Sequence, residues 1–132
     1  HGAARWATKR EIRRTYRFVS FTPKKWRAQA AQGNQPTGTD NKPLPQGIVV
    51  GCTGNTTALV DTGDVHVLMI GAAGVGKTAF WLYPCIEYAC ASGMSFLSTD
   101  TTAAWPNAMA TAFPSLICAT RHVQAETISF TS

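Results

Sequence analysis

The chain has 132 residues, of which 45% are hydrophobic and 14% are charged, and its formal net charge is +5. This length fits one domain or a piece of one, and the apolar fraction excludes a fully disordered chain. The length of 132 residues also excludes a complete motor domain joined to its own membrane anchor. The chain opens on His1 without a signal-peptide pattern, so we expect a processed chain or a fragment.

The charge is concentrated at the start of the chain. Residues 1–50 carry ten Lys and Arg against two acids, which gives +8, whereas residues 51–132 carry two against five, which gives −3. A basic head of this kind favours contact with a polyanion, either nucleic acid or anionic lipid. A solvated arm is the alternative interpretation.

The four cysteines do not form a metal motif. They are Cys52, Cys85, Cys90 and Cys118, with neither a C-x-x-C pair nor a histidine at zinc spacing. Cys85 and Cys90 lie in apolar stretches, where buried free thiols are common. We therefore expect reduced cysteines in a reducing compartment.

A capping box predicts a first helix. Thr8 and Glu11 are spaced as S/T-x-x-E, and the helix is expected over residues 9–17. Helical spacing predicts one apolar stripe, of Ile12, Tyr16 and Val19, and one cationic stripe opposite it, of Arg10, Arg13, Arg14 and Arg17. Four guanidinium groups on one face suit phosphates or anionic head groups.

The following segments alternate loop and strand signals. Phe21-Thr22-Pro23 begins a turn or helix, and residues 33–47 are rich in Gly, Pro, Asn and Thr, which indicates a linker. Residues 48–50 and 56–60 are expected to pair as a hairpin around a turn at 53–55. Residues 65–70 predict a buried strand, in which His66 is more typical of a packed or edge residue than of a metal ligand.

One strong motif follows directly. Residues Gly71, Ala72, Ala73, Gly74, Val75, Gly76, Lys77 and Thr78 satisfy G-x-x-x-x-G-K-[ST]. In such a loop, glycines let backbone N–H groups approach a phosphate, and the helix that follows presents its N-terminal N–H groups to the same anion. Lys77 would reach the β- and γ-phosphates of ATP, and the Thr78 hydroxyl would ligate Mg²⁺.

A helix is expected from residue 76 to residue 92, ended by Gly93. Pro84 lies within it and predicts a kink or early break near residues 80–84. Residues 79–97 resemble a membrane span in apolarity, but Pro84, Gly93 and the central Glu87 argue against one. Residues 94–99 then predict a second strand. Asp100 at its end would orient Mg²⁺ through water or cap the next turn.

The predicted fold class is therefore α/β. It is a partial P-loop NTPase with a strand–P-loop–helix–strand core, preceded by a basic helical arm and a β-hairpin, and the family resemblance given next implies that this core is RecA-like. The expected division is an arm at 1–32, a linker at 33–47, the partial core at 48–101, and a low-charge tail of unknown fold at 102–132.

The chain resembles the TraG-like coupling ATPases of type IV secretion and conjugative DNA transfer. The likeness covers residues 1–101 and is carried by four stretches: residues 2–8 (GAARWAT), 44–51, 65–78, and the helix with Pro84 as far as residue 97. The P-loop is shared by many NTPases, whereas the Arg-Trp-Ala opening and the Pro84 helix are more particular to the family.

The resemblance implies an ATPase that delivers DNA–relaxase cargo to a membrane channel, usually as a ring of subunits. It implies nucleotide binding at residues 71–78 with Mg²⁺ at Thr78. It places the basic helix at the cytoplasmic face of the bacterial membrane, where anionic lipid attracts Lys and Arg.

The likeness stops after Thr101. The family continues with Lys-Gly-Asp or Lys-Gly-Glu, whereas this chain continues with Thr102-Ala103-Ala104. A shifted reading frame is our hypothesis for the tail. The Walker B acid and the later catalytic elements of the family have no counterpart in these 132 residues, so we expect nucleotide binding without hydrolysis.

Two other interpretations stay open. One is a small basic module that binds nucleic acid or anionic lipid and has a vestigial P-loop. The other, a complete small P-loop kinase, is disfavoured because the tail has few charged residues.

Overall fold

The computed structural model describes residues 2–96, 109 and 111–113. Within them lie three α-helices, one π-helical turn and three strands. In chain order these are α1 (Lys9–Thr15), β1 (Arg17–Ser20), α2 (Pro23–Ala31), β2 (Ile48–Thr53), β3 (Thr57–Asp61), the π turn (Thr78–Leu82) and α3 (Tyr83–Ala91).

The capping box of α1 is confirmed. The backbone N–H of Glu11 donates to Thr8 Oγ1 at 3.4 Å, and Glu11 Oε2 accepts from the backbone N–H of Thr8 at 2.7 Å. The helix ends at Thr15, however, because Tyr16 is already extended at φ −111° and ψ 150°. Arg17 and Val19 therefore belong to β1, and the predicted stripes lose those members.

The sheet is antiparallel, in the order β1-β3-β2. The predicted hairpin is confirmed as β2 and β3, with a register shift between Val49 and Gly51. Strand β1 pairs with the other side of β3, with Val19 opposite Ala58. Alternation along the strands buries one face of the sheet, composed of Val19, Val49, Ala58 and Val60.

The core lies between this face and helices α2 and α3. Trp26 of α2 and Tyr88 of α3 are fully buried, and their rings meet edge to face with centroids 5.9 Å apart. Phe21 packs on the other side of Trp26 at 5.0 Å. The aromatic side chains thus join the basic arm to the helix after the P-loop in one core, since such pairs contribute about 1 kcal/mol beyond their buried area.

The segment predicted as a linker also packs against this core. Leu44 is 4% exposed, and the Tyr88 hydroxyl donates to the backbone carbonyl of Pro45. Gln46 Nε2 donates to Ser92 O at 3.2 Å. The Gly- and Pro-rich composition indicated irregular backbone, but it did not reveal that Leu44 anchors the segment.

The helix after the P-loop changes its hydrogen bonding where Pro84 predicted a break. Tyr83 N–H donates to Thr78 O, an i→i−5 bond, and α-helical geometry continues from Tyr83. Because Pro84 has no N–H, it cannot make the α-helical bond to residue 80, and a π turn before it accommodates the loss. Gly93, at φ +70°, ends α3 as expected.

The strand predicted at 65–70 is wrong, because these residues have no regular secondary structure and pair with no described strand. Leu68 and Ile70 are 83% and 86% exposed. A central parallel strand needs neighbours on both sides and helices on both faces, and the described residues supply none at this position. Residues 94–96 are likewise not in a strand, and the remainder of the second predicted strand, Asp100 and Cys118 lie outside the described residues.

None of the helices in the described part of the chain has the length and apolarity required to cross a bilayer.

Candidate functional site: a glycine-rich loop at the start of a helix

The motif at residues 71–78 is a loop that runs into a helix. Helical backbone begins at Lys77 and continues through the π turn into α3. Gly74 and Gly76 have φ of +81° and +86°, a region that L side chains rarely adopt. A Cβ added at Gly74 would meet nothing within 4 Å, so the loop has open space on that side. The loop therefore uses glycine at two positions where its backbone has positive φ.

Lys77 closes the loop on itself. Its Nζ donates to Ala72 O at 2.8 Å and also to Gly71 O. The side chain thus lies across the loop rather than extending away from it, and its aliphatic part lies 3.2 Å from the position of a Cβ at Gly71. The ammonium group is thus held by two backbone carbonyls of the same loop.

Phe80 covers the glycine that precedes Lys77. A Cβ at Gly76 would lie 2.4 Å from Phe80 Cδ2, while the Phe80 side chain itself is 84% exposed. Thr78, the predicted Mg²⁺ ligand, is exposed at the first position of the π turn. The hydroxyl and the ammonium group therefore belong to adjacent residues at the helix start, as the motif requires.

Sequence reasoning missed the connection between this helix and the basic arm. Arg27 of α2 donates from Nε to Glu87 Oε1 of α3 at 2.7 Å, and its Nη2 contacts Glu87 Oε2. Glu87 is 6% exposed, whereas the side chain of Arg27 is 48% exposed. The hydrogen bonds that Arg27 donates to the Glu87 carboxylate raise the pKa of Arg27. Glu87 is the one acid in the otherwise apolar sequence of α3, and this is the feature from which the sequence could have indicated a buried ion pair.

The basic arm has a well-defined start. Arg5 makes a bidentate pair with Glu11, with Nη1 3.0 Å from Oε2. This pair, together with the bonds to Thr8, lowers the pKa of Glu11 to about 2. The predicted cationic residues Arg10, Arg13, Arg14 and Arg17 are all exposed. The first three lie on α1 and the fourth on β1, so they do not form one helical stripe.

The cysteines and acids of the described residues show no metal site. No group of three or more His, Cys, Asp or Glu is clustered there, and His66 is exposed in coil. Cys52 is exposed, Cys85 is partly buried and Cys90 is buried. Burial raises the pKa of Cys85 to about 11, against a smaller opposing effect of its bond to Val49 O. Cys85 and Cys90 therefore contribute to the packing around α3, whereas Cys52 lies at the surface.

The site so described is a glycine-rich, lysine-containing loop between an extended segment and a helix. Comparisons with protein-family models, with curated proteins and with solved structures find no match to this chain.

Proposed function

We propose that residues 71–78 bind the phosphate groups of a nucleotide, with ATP as the expected ligand. The observation that carries this proposal is the combination of positive φ at Gly74 and Gly76 with a helix that begins at Lys77. In phosphate-binding loops, glycines with positive φ allow several backbone N–H groups to face one anion, and the start of a helix adds its positive end.

The roles within the loop follow from its atoms. Lys77 Nζ would exchange its bonds to Gly71 O and Ala72 O for bonds to phosphate oxygens. The exchange replaces neutral acceptors by charged ones, and charge-assisted hydrogen bonds are roughly twice as strong. The Thr78 hydroxyl would hold the Mg²⁺ that accompanies the nucleotide, and the ion would neutralise phosphate charge.

The wider function that we propose is that of the TraG-like coupling ATPases. Its support is the resemblance over residues 1–101, and a RecA-like fold, a ring of subunits, DNA–relaxase cargo and a membrane channel are part of the proposal. A polypeptide of these 132 residues is expected to bind nucleotide weakly and not to hydrolyse it.

Isothermal titration of the 132-residue protein with Mg-ATP tests this proposal. The expected result is a saturable heat that disappears in Lys77→Ala and persists in Lys24→Ala, which removes an exposed lysine from α2. Equal binding by Lys77→Ala would contradict phosphate binding by the loop. Robust hydrolysis by the wild type that Lys77→Ala lacks would contradict the expected lack of turnover.

A second candidate function is the binding of a polyanion by the basic arm. It is favoured by the exposure of Arg10, Arg13 and Arg14 on α1 and of Arg17 immediately after it. Binding to DNA or to anionic vesicles should weaken as salt rises, because counterions compete with the guanidinium groups. Replacement of the four arginines by glutamate should abolish it, and Lys77→Ala should leave it unchanged. If anionic surfaces are bound equally well by the quadruple variant, the arm is not the site.

A further inference from the structure

Strand β1 has one side free of the described sheet. Phe21 N–H donates to Thr56 O at 2.7 Å, so these two residues are a hydrogen-bonded pair. In the β1–β3 register, the next residues of β1 that point their backbone groups toward β3 are Val19 and Arg17. In an antiparallel ladder the intervening residues point their N–H and C=O groups the other way. Phe18 and Ser20 therefore present backbone donors and acceptors at an edge with which no described strand pairs.

The opposite edge of the sheet is treated differently. Val49 of β2 points its carbonyl outward, and this oxygen accepts from Trp81 Nε1 at 3.0 Å and lies 3.5 Å from Cys85 Sγ. The helix after the P-loop thus covers the β2 edge and occupies a hydrogen-bonding position there. An uncovered edge invites pairing with another strand, so the contrast singles out β1.

A cleft of about 330 Å³ runs along β1. Its second wall is the loop at residues 38–45, which is closed by a bridge between Thr37 and Pro43 and by a bond from Gly38 N to Lys42 O at 2.9 Å. This volume is at the lower end of the range for ligand sites, roughly 300–1,000 Å³. The loop therefore does not pack directly onto the edge of β1, and the cleft leaves open space between them.

The charges around the cleft are mainly positive. Arg17 and Lys42 line it and are exposed, and Lys25 Nζ donates to Gly38 O at 3.1 Å on the same loop. Asp40 is the one acid among the residues described as lining the cleft, and its Oδ1 accepts from the backbone N–H of Lys42 at 3.2 Å. A partner with acidic side chains complements this surface.

The two faces of β1 differ in chemistry. Arg17 projects on the face that carries Val19, whereas Phe18, 43% exposed, projects on the other face. A strand added at this edge would alternate its own side chains between the same two faces. It would place acidic side chains beside Arg17 and apolar side chains beside Phe18.

We propose that the free edge of β1 binds an extended segment of a partner protein in which acidic and apolar residues alternate. The segment adds as a fourth strand through the backbone groups of Phe18 and Ser20, a mode of peptide recognition known as β-augmentation. The ladder groups identify the partner as a polypeptide, because nucleic acid and lipid have no backbone that continues a β ladder.

The test is a titration of the ¹⁵N-labelled protein with the peptide Ac-Glu-Val-Glu-Val-Glu-Val-NH₂, followed by amide chemical shifts and hydrogen exchange. The expected result is saturable shifts at residues 17–20 and 38–45, with slower exchange at Phe18 and Ser20. The matched peptide with Lys in place of Glu is expected to bind at least about tenfold more weakly, since like charges oppose it. Shifts confined to residues 71–78 would overturn the proposal.

Three variants separate strand addition from general attraction to the basic arm. Arg17→Glu is expected to weaken binding about tenfold or more, whereas Arg10→Glu, with the same charge change on α1, is expected to change it little. Ser20→Pro removes an outward N–H without removing a bond to β3, so it should weaken binding while the β1–β3 ladder persists. Equal loss with Arg10→Glu, or no loss with Ser20→Pro in a folded protein, would overturn the proposal. So would slow exchange at Phe18 and Ser20 before peptide is added, because the edge would then already be paired.

Discussion

Arg27 and Glu87, sixty residues apart in sequence, form a two-point ion pair between α2 and α3. The carboxylate is buried and the guanidinium is half-exposed. The pair joins α2, which belongs to the basic arm, to α3, which follows the glycine-rich loop. It is thus a direct polar link between the two regions for which different ligands are proposed.

We expect Arg27→Ala to destabilise the protein by about 2 kcal/mol, because it leaves the Glu87 carboxylate buried without its partner. The expected loss is below that for a fully buried pair, since half of the Arg27 side chain is in water. Urea denaturation followed by Trp fluorescence measures the change. Arg14→Ala, at an exposed position of α1, is the control and should have little effect.

A double-mutant cycle with Arg27→Met and Glu87→Met isolates the interaction. Together the two changes should destabilise less than the sum of the single changes, because the double variant leaves no unpaired charge. Strict additivity would show that the two side chains do not interact in solution.

The thiols should differ in reactivity. Cys52 is exposed, whereas Cys85 is partly buried and burial raises its pKa to about 11. Only the thiolate reacts with iodoacetamide, so at pH 8 Cys85 should be alkylated at least about tenfold more slowly than Cys52. Mass spectrometry of the labelled peptides over time measures both rates in one sample. Equal rates in the native protein would mean that the α3–β2 contact does not shield Cys85, and equal rates in urea are the expected control.

The start of α1 should survive mild acid. Its Glu11 carboxylate has a pKa lowered from 4.5 to about 2, first by Arg5 and then by Thr8. Because the pKa of Glu11 is lower in the folded state, its ionised carboxylate stabilises the folded state at pH values above 4.5. This contribution is lost as the pH falls from 4.5 toward 2. Amide and Cα shifts of residues 8–12 should therefore stay helical at pH 4 and lose helicity near pH 2.

Glu11→Gln supplies the control for this pH dependence. The variant should have a less helical α1 at pH 7 and should show little further change between pH 4 and pH 2. The same acid transition in wild type and variant would assign it to another group.

Gly47 should not tolerate a side chain. A Cβ there would lie 2.2 Å from Asp61 O and 2.8 Å from Val60 Cγ1, where β3 runs beside the entry to β2. Gly47→Ala is therefore expected to destabilise by roughly 1–3 kcal/mol or more, since the obstacle is backbone. Thermal denaturation measures it, with Gly2→Ala as the matched change, because a Cβ at Gly2 meets nothing within 4 Å. Equal melting temperatures for the two variants would contradict the close approach.

Local sequence determined the features whose physics is local. The capping box of α1, the β2–β3 hairpin and the stop at Gly93 each depend on a few adjacent residues, and each is present in the structure. Before Pro84 the helix continues through a π turn, where a kink or an early break was expected. The glycine-rich motif at residues 71–78 also depends on adjacent residues, and its Gly74 and Gly76 have positive φ. Its ligand stays a prediction.

Tertiary structure decided what composition and periodicity could not. Arg17 and Val19 continued the two helical stripes in the sequence, but pairing with β3 places both in a strand, because a ladder partner outweighs weak helical propensity. Residues 65–70 have the sequence pattern of a strand, but no described strand lies beside them. An extended segment needs a hydrogen-bonded partner strand to be stable as part of a sheet. The sequence alone showed that residues 1–50 carry a net charge of +8 and residues 51–132 a net charge of −3. Only the fold showed that Trp26, Tyr88 and the Arg27–Glu87 pair join them through one core.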